Sequence, residues 1–267
     1  WAGGKGQLVE RLYARMPEYY NNYHEPFVGA GAMLFYLSPK NGVYINDINK
    51  QLIHAYKTIR DDVDNFINLV NRLDAVTCDN DYYNLMRDKY NQKIINEIYD
   101  TETAALFVYI NKHCFNGLYR VNGKGLFNVP WNKKTTGSSI NEENIRAISN
   151  YLSNGKINIM NSDFEIACEE CKKDDFVYFD SPYDVLSKTA SFADYTKESF
   201  KKEDHIRLAE LFKRLTSRGV KSMLTNHNTN LINELYKDFN IELVDVRRAI
   251  NSDASKRTGK EVIITNY

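Results

Sequence analysis

The stretch Phe176-Val177-Tyr178-Phe179-Asp180-Ser181-Pro182-Tyr183 holds the residues whose types and order could do chemistry. Four apolar or aromatic residues in a row read as a buried strand of an α/β sheet. An acid, a proline and an aromatic follow where that strand should end, and strand ends are where such sheets bind ligands. Asp180 supplies an acceptor, Pro182 denies a continuing strand its backbone donor, and Tyr183 offers a flat face. Together they make a slot for a planar amine. An amino group on an aromatic base is a poor nucleophile, because its lone pair is delocalised into the ring. Two acceptors drawing on its protons, the Asp180 carboxylate and the main-chain carbonyl of residue 181, would favour the transition state in which that pair localises. Tyr183 would hold the base by stacking. Taken alone, the tetrapeptide fits an acidic turn or helix cap after a core strand as well.

The elements that must position these groups follow a regular rhythm. Val9 to Tyr20 reads as an amphipathic helix, and Tyr23 to Val28 as a first strand running into Gly29-Ala30-Gly31 and a helix over Ala32 to Leu37. Glycines between strand and helix permit a tight turn and a close ligand, although a simple turn explains them too. The next strand, Val43 to Asn46, ends in Asp47, at the spacing of an acid that binds ribose hydroxyls, so an adenosine site is plausible. Further strands are read at 157–160, 176–179 and 221–225, with helices at 199–216 and 230–239. Two short strands, 241–246 and 261–265, make a hairpin at one edge. The expected fold is α/β: a doubly wound, seven-stranded, Rossmann-like sheet with one reversed edge strand. Residues 58–154, with helices near 82–90 and 102–112 and a loop-rich centre, are expected to form an inserted, mainly helical domain. Residues 1–57 and 155–267 would form the catalytic one.

Size and composition set bounds. The chain of 267 residues is 43% hydrophobic and 26% charged, which suits one large α/β domain or a domain carrying an insertion. No apolar run approaches the roughly 20 residues that span a bilayer, and no signal pattern opens the chain, so a cytoplasmic location is expected. Cys78, Cys114, Cys168 and Cys171 are too few and irregular for a disulfide framework. Cys168-x-x-Cys171 lacks a second pair for a zinc site, so no metal is expected. Net charge is zero, yet no acid falls between Thr103 and Asn141, while Lys112, Arg120, Lys124, Lys133 and Lys134 do. A neutral total can hide a basic face.

Jointly, Trp1-Ala-Gly-Gly-Lys5, Glu25-Pro-Phe-Val-Gly-Ala-Gly31, Asn46-Asp47, Ser162-Asp163-Phe164, Asp180-Ser-Pro-Tyr183, and Cys114-Phe-Asn-Gly-Leu-Tyr-Arg120 with Phe127-Asn-Val-Pro130 resemble the Dam-type adenine-N6 DNA methyltransferases, in the family's order and over nearly the whole chain. The resemblance implies that S-adenosyl-L-methionine is held by Trp1, Lys5, Phe27, Gly29, Ala30, Gly31, Asp47, Asp163, Phe164 and Asp180. It places Asp180, Ser181, Pro182 and Tyr183 at the reacting adenine, which would be flipped from duplex DNA. It implies DNA contacts from Phe115, Asn116, Leu118, Arg120 and Pro130, as in members that read GATC. Lys112 and Lys124 would neutralise phosphates, and Arg247, Arg248, Lys256 and Arg257 would flank a hairpin loop, mobile over 251–258 until DNA binds. A sulfonium is already a good leaving group, so neither metal nor covalent intermediate is implied. A monomer is expected. The family usually has proline at position 181. Serine keeps the main-chain carbonyl but not proline's fixed φ, which leaves a catalytically impaired, cofactor-dependent DNA-binding module as the alternative.

Overall fold

The computed structural model describes residues 8–185, 200–247 and 258–267. Trp1, Lys5, Arg248, Lys256 and Arg257, and nearly all of the loop expected to be mobile, lie outside them, as does the Arg247 side chain. In chain order, α1 (Val9–Tyr13), β1 (Tyr23–Glu25), α2 (Ala32–Leu37) and β2 (Val43–Asn46) come first. Five helices follow: α3 (Lys50–Asp61), α4 (Val63–Asp74), α5 (Asn80–Ile95), α6 (Thr101–His113) and α7 (Glu142–Leu152). Then come β3 (Ile157–Met160), α8 (Phe164–Ala167), β4 (Phe176–Phe179), α9 (Lys202–Ser217), β5 (Lys221–His227), α10 (Asn230–Leu235), β6 (Asn240–Arg247) and β7 (Thr258–Thr265). By contacts the chain divides into two units, one of residues 49–161 and one whose described residues are 8–48, 162–185, 200–247 and 258–267.

The strands form a seven-stranded sheet in the order β3-β2-β1-β4-β5-β7-β6. β1 runs parallel to β2 and β4, and β4 parallel to β5, with Phe179 opposite Leu224. β7 is antiparallel to both β5 and β6. The expectation of a reversed edge strand is therefore corrected: the reversed strand is β7, and it lies inside the sheet, with β6 at the edge. Burial explains the placement. Val262, Ile263 and Ile264 are buried in succession, as a strand covered on both faces requires, whereas β6 leaves Leu243 54% exposed. Charged Glu242 and Asp245 on β6 suit an edge that must not pair further.

β4 is buried along its whole length. Val177 and Phe179 join Leu224 of β5, Val262 and Ile264 of β7, Leu208, Phe212 and Leu215 of α9, and Ile232 of α10 in one apolar cluster. Each such side chain contributes about 1.5–3 kcal/mol on burial, so the end of β4 has a rigid base. A second buried group links strand starts: His24 Nε2 lies 3.2 Å from Asp175 Oδ2, and its Nδ1 lies 3.4 Å from the Cys171 sulfur. Against the opposing effect of burial, these partners raise His24 to about 9. All four cysteines are free and buried. Among the described residues there is no cluster of three or more metal-ligating side chains and no helix long and apolar enough to cross a membrane.

Three helices differ from the sequence expectation, among them α10, which ends at Leu235 and not at 239. α1 stops at Tyr13, well short of Tyr20, because Pro17 disfavours helix at the residue before it and cannot donate inside one. α7, near the end of the 58–154 segment, was not among the helices expected there; Asn141 caps it by accepting from Asn144 N at 2.8 Å, and Ile145, Ser149 and Leu152 form its buried face.

Candidate active site at the strand ends

Asp180 follows the last residue of β4 and is half-buried. The Thr225 hydroxyl, on β5, donates to its Oδ1 at 3.1 Å, and the Tyr178 hydroxyl lies 3.2 Å from the same Thr225 oxygen. Ser181 is 2% exposed, and among the described residues its hydroxyl has no hydrogen-bond partner. What this position offers a ligand is thus its main chain. Pro182 and Tyr183 are half-buried.

Tyr183 is held at its hydroxyl, which donates to Glu261 Oε2 at 3.0 Å, and at its edge, by His227 at 4.8 Å in a T-shaped contact. Burial, reinforced by Asp180 and Glu261, pushes this phenol well above its ordinary range, so it stays protonated and donates. Beyond it, Asp184 N donates to Asn226 Oδ1 at 2.9 Å, the Asp184 carboxylate accepts from Thr229 Oγ1 at 2.6 Å, and its carbonyl meets His227 Nδ1 at 2.7 Å. The carboxyl end of β5 therefore grips the 180–184 segment at both ends.

The glycine turn sits at the end of β1. Gly29 and Gly31 have φ of 49° and 68°, where a side chain would be strained. Asp47 Oδ2 accepts from Gly29 N at 3.0 Å, which ties the end of β2 to the turn. Asn46 is buried and bridges two loops, donating to the carbonyls of Pro26 and Ser162 at 3.0 and 2.9 Å. Ala30 is exposed beside the turn. Glu25, 2% exposed, accepts from the Tyr23 hydroxyl at 2.7 Å. Burial, with Asp180 and Asp47 adding, pushes its carboxyl up to about 8. One acid of this group thus keeps its proton at neutral pH.

Asp163 caps α8, accepting from Glu165 N at 2.9 Å, and pairs with Arg207 at 2.9 Å. Arg207 also stacks over the Phe164 ring at 4.8 Å, and Phe27 packs on Phe164 at 5.3 Å. The donor set fits a cationic nucleoside. The carboxylate at the end of β4 suits a nearby cation, and the left-handed glycines let a ligand approach the backbone. Asp47 and Asp163 carry carboxylate oxygens that could accept from the hydroxyl or amino groups of such a ligand.

In the helical unit, the segment after α6 forms a braced loop. Phe115 N donates to Pro130 O at 2.8 Å, and Cys114 bridges Trp131 while Val121 bridges Phe127. Asn91 clamps both main-chain groups of Phe127, and the Tyr119 and Phe127 rings pack at 5.6 Å. Above this base, Lys112, Phe115, Asn116, Arg120, Lys124 and Pro130 are exposed and Leu118 half-buried. Arg120 is steadied by Asn128, through Nε at 2.8 Å and Nη2 at 3.2 Å. Asn116 takes a φ of 54°, a conformation asparagine tolerates better than most residues.

Thr225, Asn226, His227 and Glu261 were not among the residues singled out in the sequence. All four are polar residues on β5 or β7, distant in sequence from Asp180. The signal available was Thr225-Asn226-His227 following the apolar pair Met223-Leu224.

A family model described as D12 class N6 adenine-specific DNA methyltransferase matches residues 1–250. The chain is 43% identical to Type II methyltransferase M1.LlaDCHI of Lactococcus lactis subsp. cremoris, over all of this chain and 94% of that one. It is 40% identical to Type II methyltransferase M.MjaIII of Methanocaldococcus jannaschii, over 100% of this chain and 97% of the relative. With the DNA adenine methylase of Escherichia coli K12 the identity is 31%, over 100% and 93%. With these likenesses beside a strand-end acid, a tyrosine fixed next to it and a glycine turn, the chain belongs to the D12 class of N6 adenine-specific DNA methyltransferases and is an adenine-specific DNA methyltransferase.

Proposed function

We propose that this methyltransferase modifies adenine within GATC in duplex DNA, and that the adenine is flipped out of the helix to react. The observation that carries this reading is the strand-end group: Asp180 bonded to Thr225, with the Tyr183 ring fixed by Glu261 and His227 one turn of chain away. The amino group of adenine is engaged in pairing inside a duplex, so a site this deep in the sheet requires extrusion. Asp180 and the carbonyl of residue 181 then accept hydrogen bonds from its two N–H groups, and Tyr183 lies on its face. That arrangement pulls the nitrogen lone pair out of the ring and towards the methyl donor.

The family implies S-adenosyl-L-methionine as donor, which supplies a methyl on a sulfonium, itself a good leaving group. The Gly29-Ala30-Gly31 turn receives its methionine end, Asp47 its ribose, and Asp163 with Phe27 and Phe164 its adenine. Trp1 and Lys5 complete this set by resemblance.

Residues 58–154 act as the target-recognition domain in this reading. Arg120 retains donors on Nη1 that can reach guanine O6 or N7 together with Nη2. Phe115 or Leu118 wedges into the stack vacated by the adenine. Asn116 and Pro130 line the same loop, and Lys112 and Lys124 meet phosphates. The test is methyl transfer onto a panel of duplexes in which each base of GATC is varied. Transfer confined to GATC supports the reading; equal transfer to duplexes lacking that sequence overturns the assignment of the target.

A further inference from the structure

We propose that Thr225 is a positioning residue for methyl transfer: a buried hydroxyl on β5 that fixes the orientation of the Asp180 carboxylate. The inference rests on the reading of Asp180 given above. Phe179 pairs with Leu224, so the next residues, Asp180 and Thr225, come face to face as β4 ends. Thr225 is fully buried at 0% exposure, and its branched Cβ restricts its own rotamer.

The direction of the hydrogen bonds follows from counting protons. Thr225 has one hydroxyl proton, and it goes to Asp180 Oδ1 at 3.1 Å. The Tyr178 hydroxyl, 3.2 Å away, must then donate to Thr225. The chain runs from buried phenol through threonine to carboxylate, each donor polarising the next. Tyr178 is itself fully buried, and burial pushes its phenol far above neutrality, so the donor is permanent. One hydroxyl therefore joins the phenol behind it to the acid of the proposed adenine slot. A carboxylate that turned freely about its last bond would present its acceptor to the amino group only part of the time.

The test compares Thr225→Val, which keeps the shape and removes the hydroxyl, with Thr225→Ser, which keeps the hydroxyl. Both are assayed for transfer from S-adenosyl-L-methionine to a GATC duplex, with melting temperatures measured alongside. Thr225→Val should lose about ten- to a hundredfold in kcat, the scale of one hydrogen bond to a charged group. KM for DNA and for the cofactor should stay within about twofold, and Thr225→Ser should stay within about threefold of the wild type in kcat. Tyr178→Phe, which removes the donor behind Thr225, should lose less, and little more when combined with Thr225→Val. The proposal is overturned if Thr225→Val keeps full kcat, if Thr225→Ser falls as far as valine, or if the loss is in KM alone. A wild-type protein that transfers no methyl to any duplex would sink the underlying reading, and this inference with it.

Discussion

Replacing Glu25 by Gln should make the protein more resistant to alkaline pH by a calculable amount. Glu25 is buried beneath the strand ends and raised from 4.5 to about 8, chiefly by desolvation, with Asp180 and Asp47 reinforcing it. The sign follows from proton linkage. Below about pH 4.5 folded and unfolded chains both hold the proton; between 4.5 and about 8 only the folded chain does. Stability is therefore lost as pH rises through that window, at about 1.4 kcal/mol per unit. Between about pH 5 and about pH 8.5 this one carboxyl should cost the wild type on the order of 4 kcal/mol. Glutamine cannot ionise and still accepts from the Tyr23 hydroxyl, so it should escape the loss. Urea unfolding of both proteins at the two pH values measures the difference directly. A stability gap between variant and wild type that is the same at both would refute the reasoning, since Glu25 would then ionise as it does in the unfolded chain.

Ser181→Ala removes a buried hydroxyl that has no partner among the described residues. It should raise stability by about 1 kcal/mol and leave kcat within about twofold, because the chemistry draws on the main-chain carbonyl; a large loss of kcat would give the hydroxyl a part in the reaction. Arg120→Ala should cost about 1–3 kcal/mol of discrimination at one guanine of the target, read from kcat/KM on matched and substituted duplexes. Full retention of that preference would remove Arg120 as the reader.

Much of the fold was legible because periodicity reports burial. The run Phe176–Phe179 reads as a strand covered on both faces and is one, and strands at 43–46 and 157–160 fall where apolar residues mark them. The order of the last two strands was not legible. Both are short and partly apolar, and only the pairing partners of β7 show that the chain turns back into the sheet. α7 was missed although Asn141 and the spacing of Ile145, Ser149 and Leu152 announce it, since its polar remainder resembles the loop before it. Asp180 stood out because proline and tyrosine follow it. Thr225 and Glu261 did not, because a hydroxyl or carboxylate on a strand gains meaning only from what the sheet sets opposite it.

In the proposed reaction Asp180, at the end of β4, accepts a hydrogen bond from the adenine amino group as the methyl arrives. Radiolabelled S-adenosyl-L-methionine, a GATC duplex, and wild-type and Asp180→Ala proteins of equal melting temperature test it in one assay. The wild type should label adenine N6 repeatedly and the variant not above background. Near-full labelling by Asp180→Ala would contradict it.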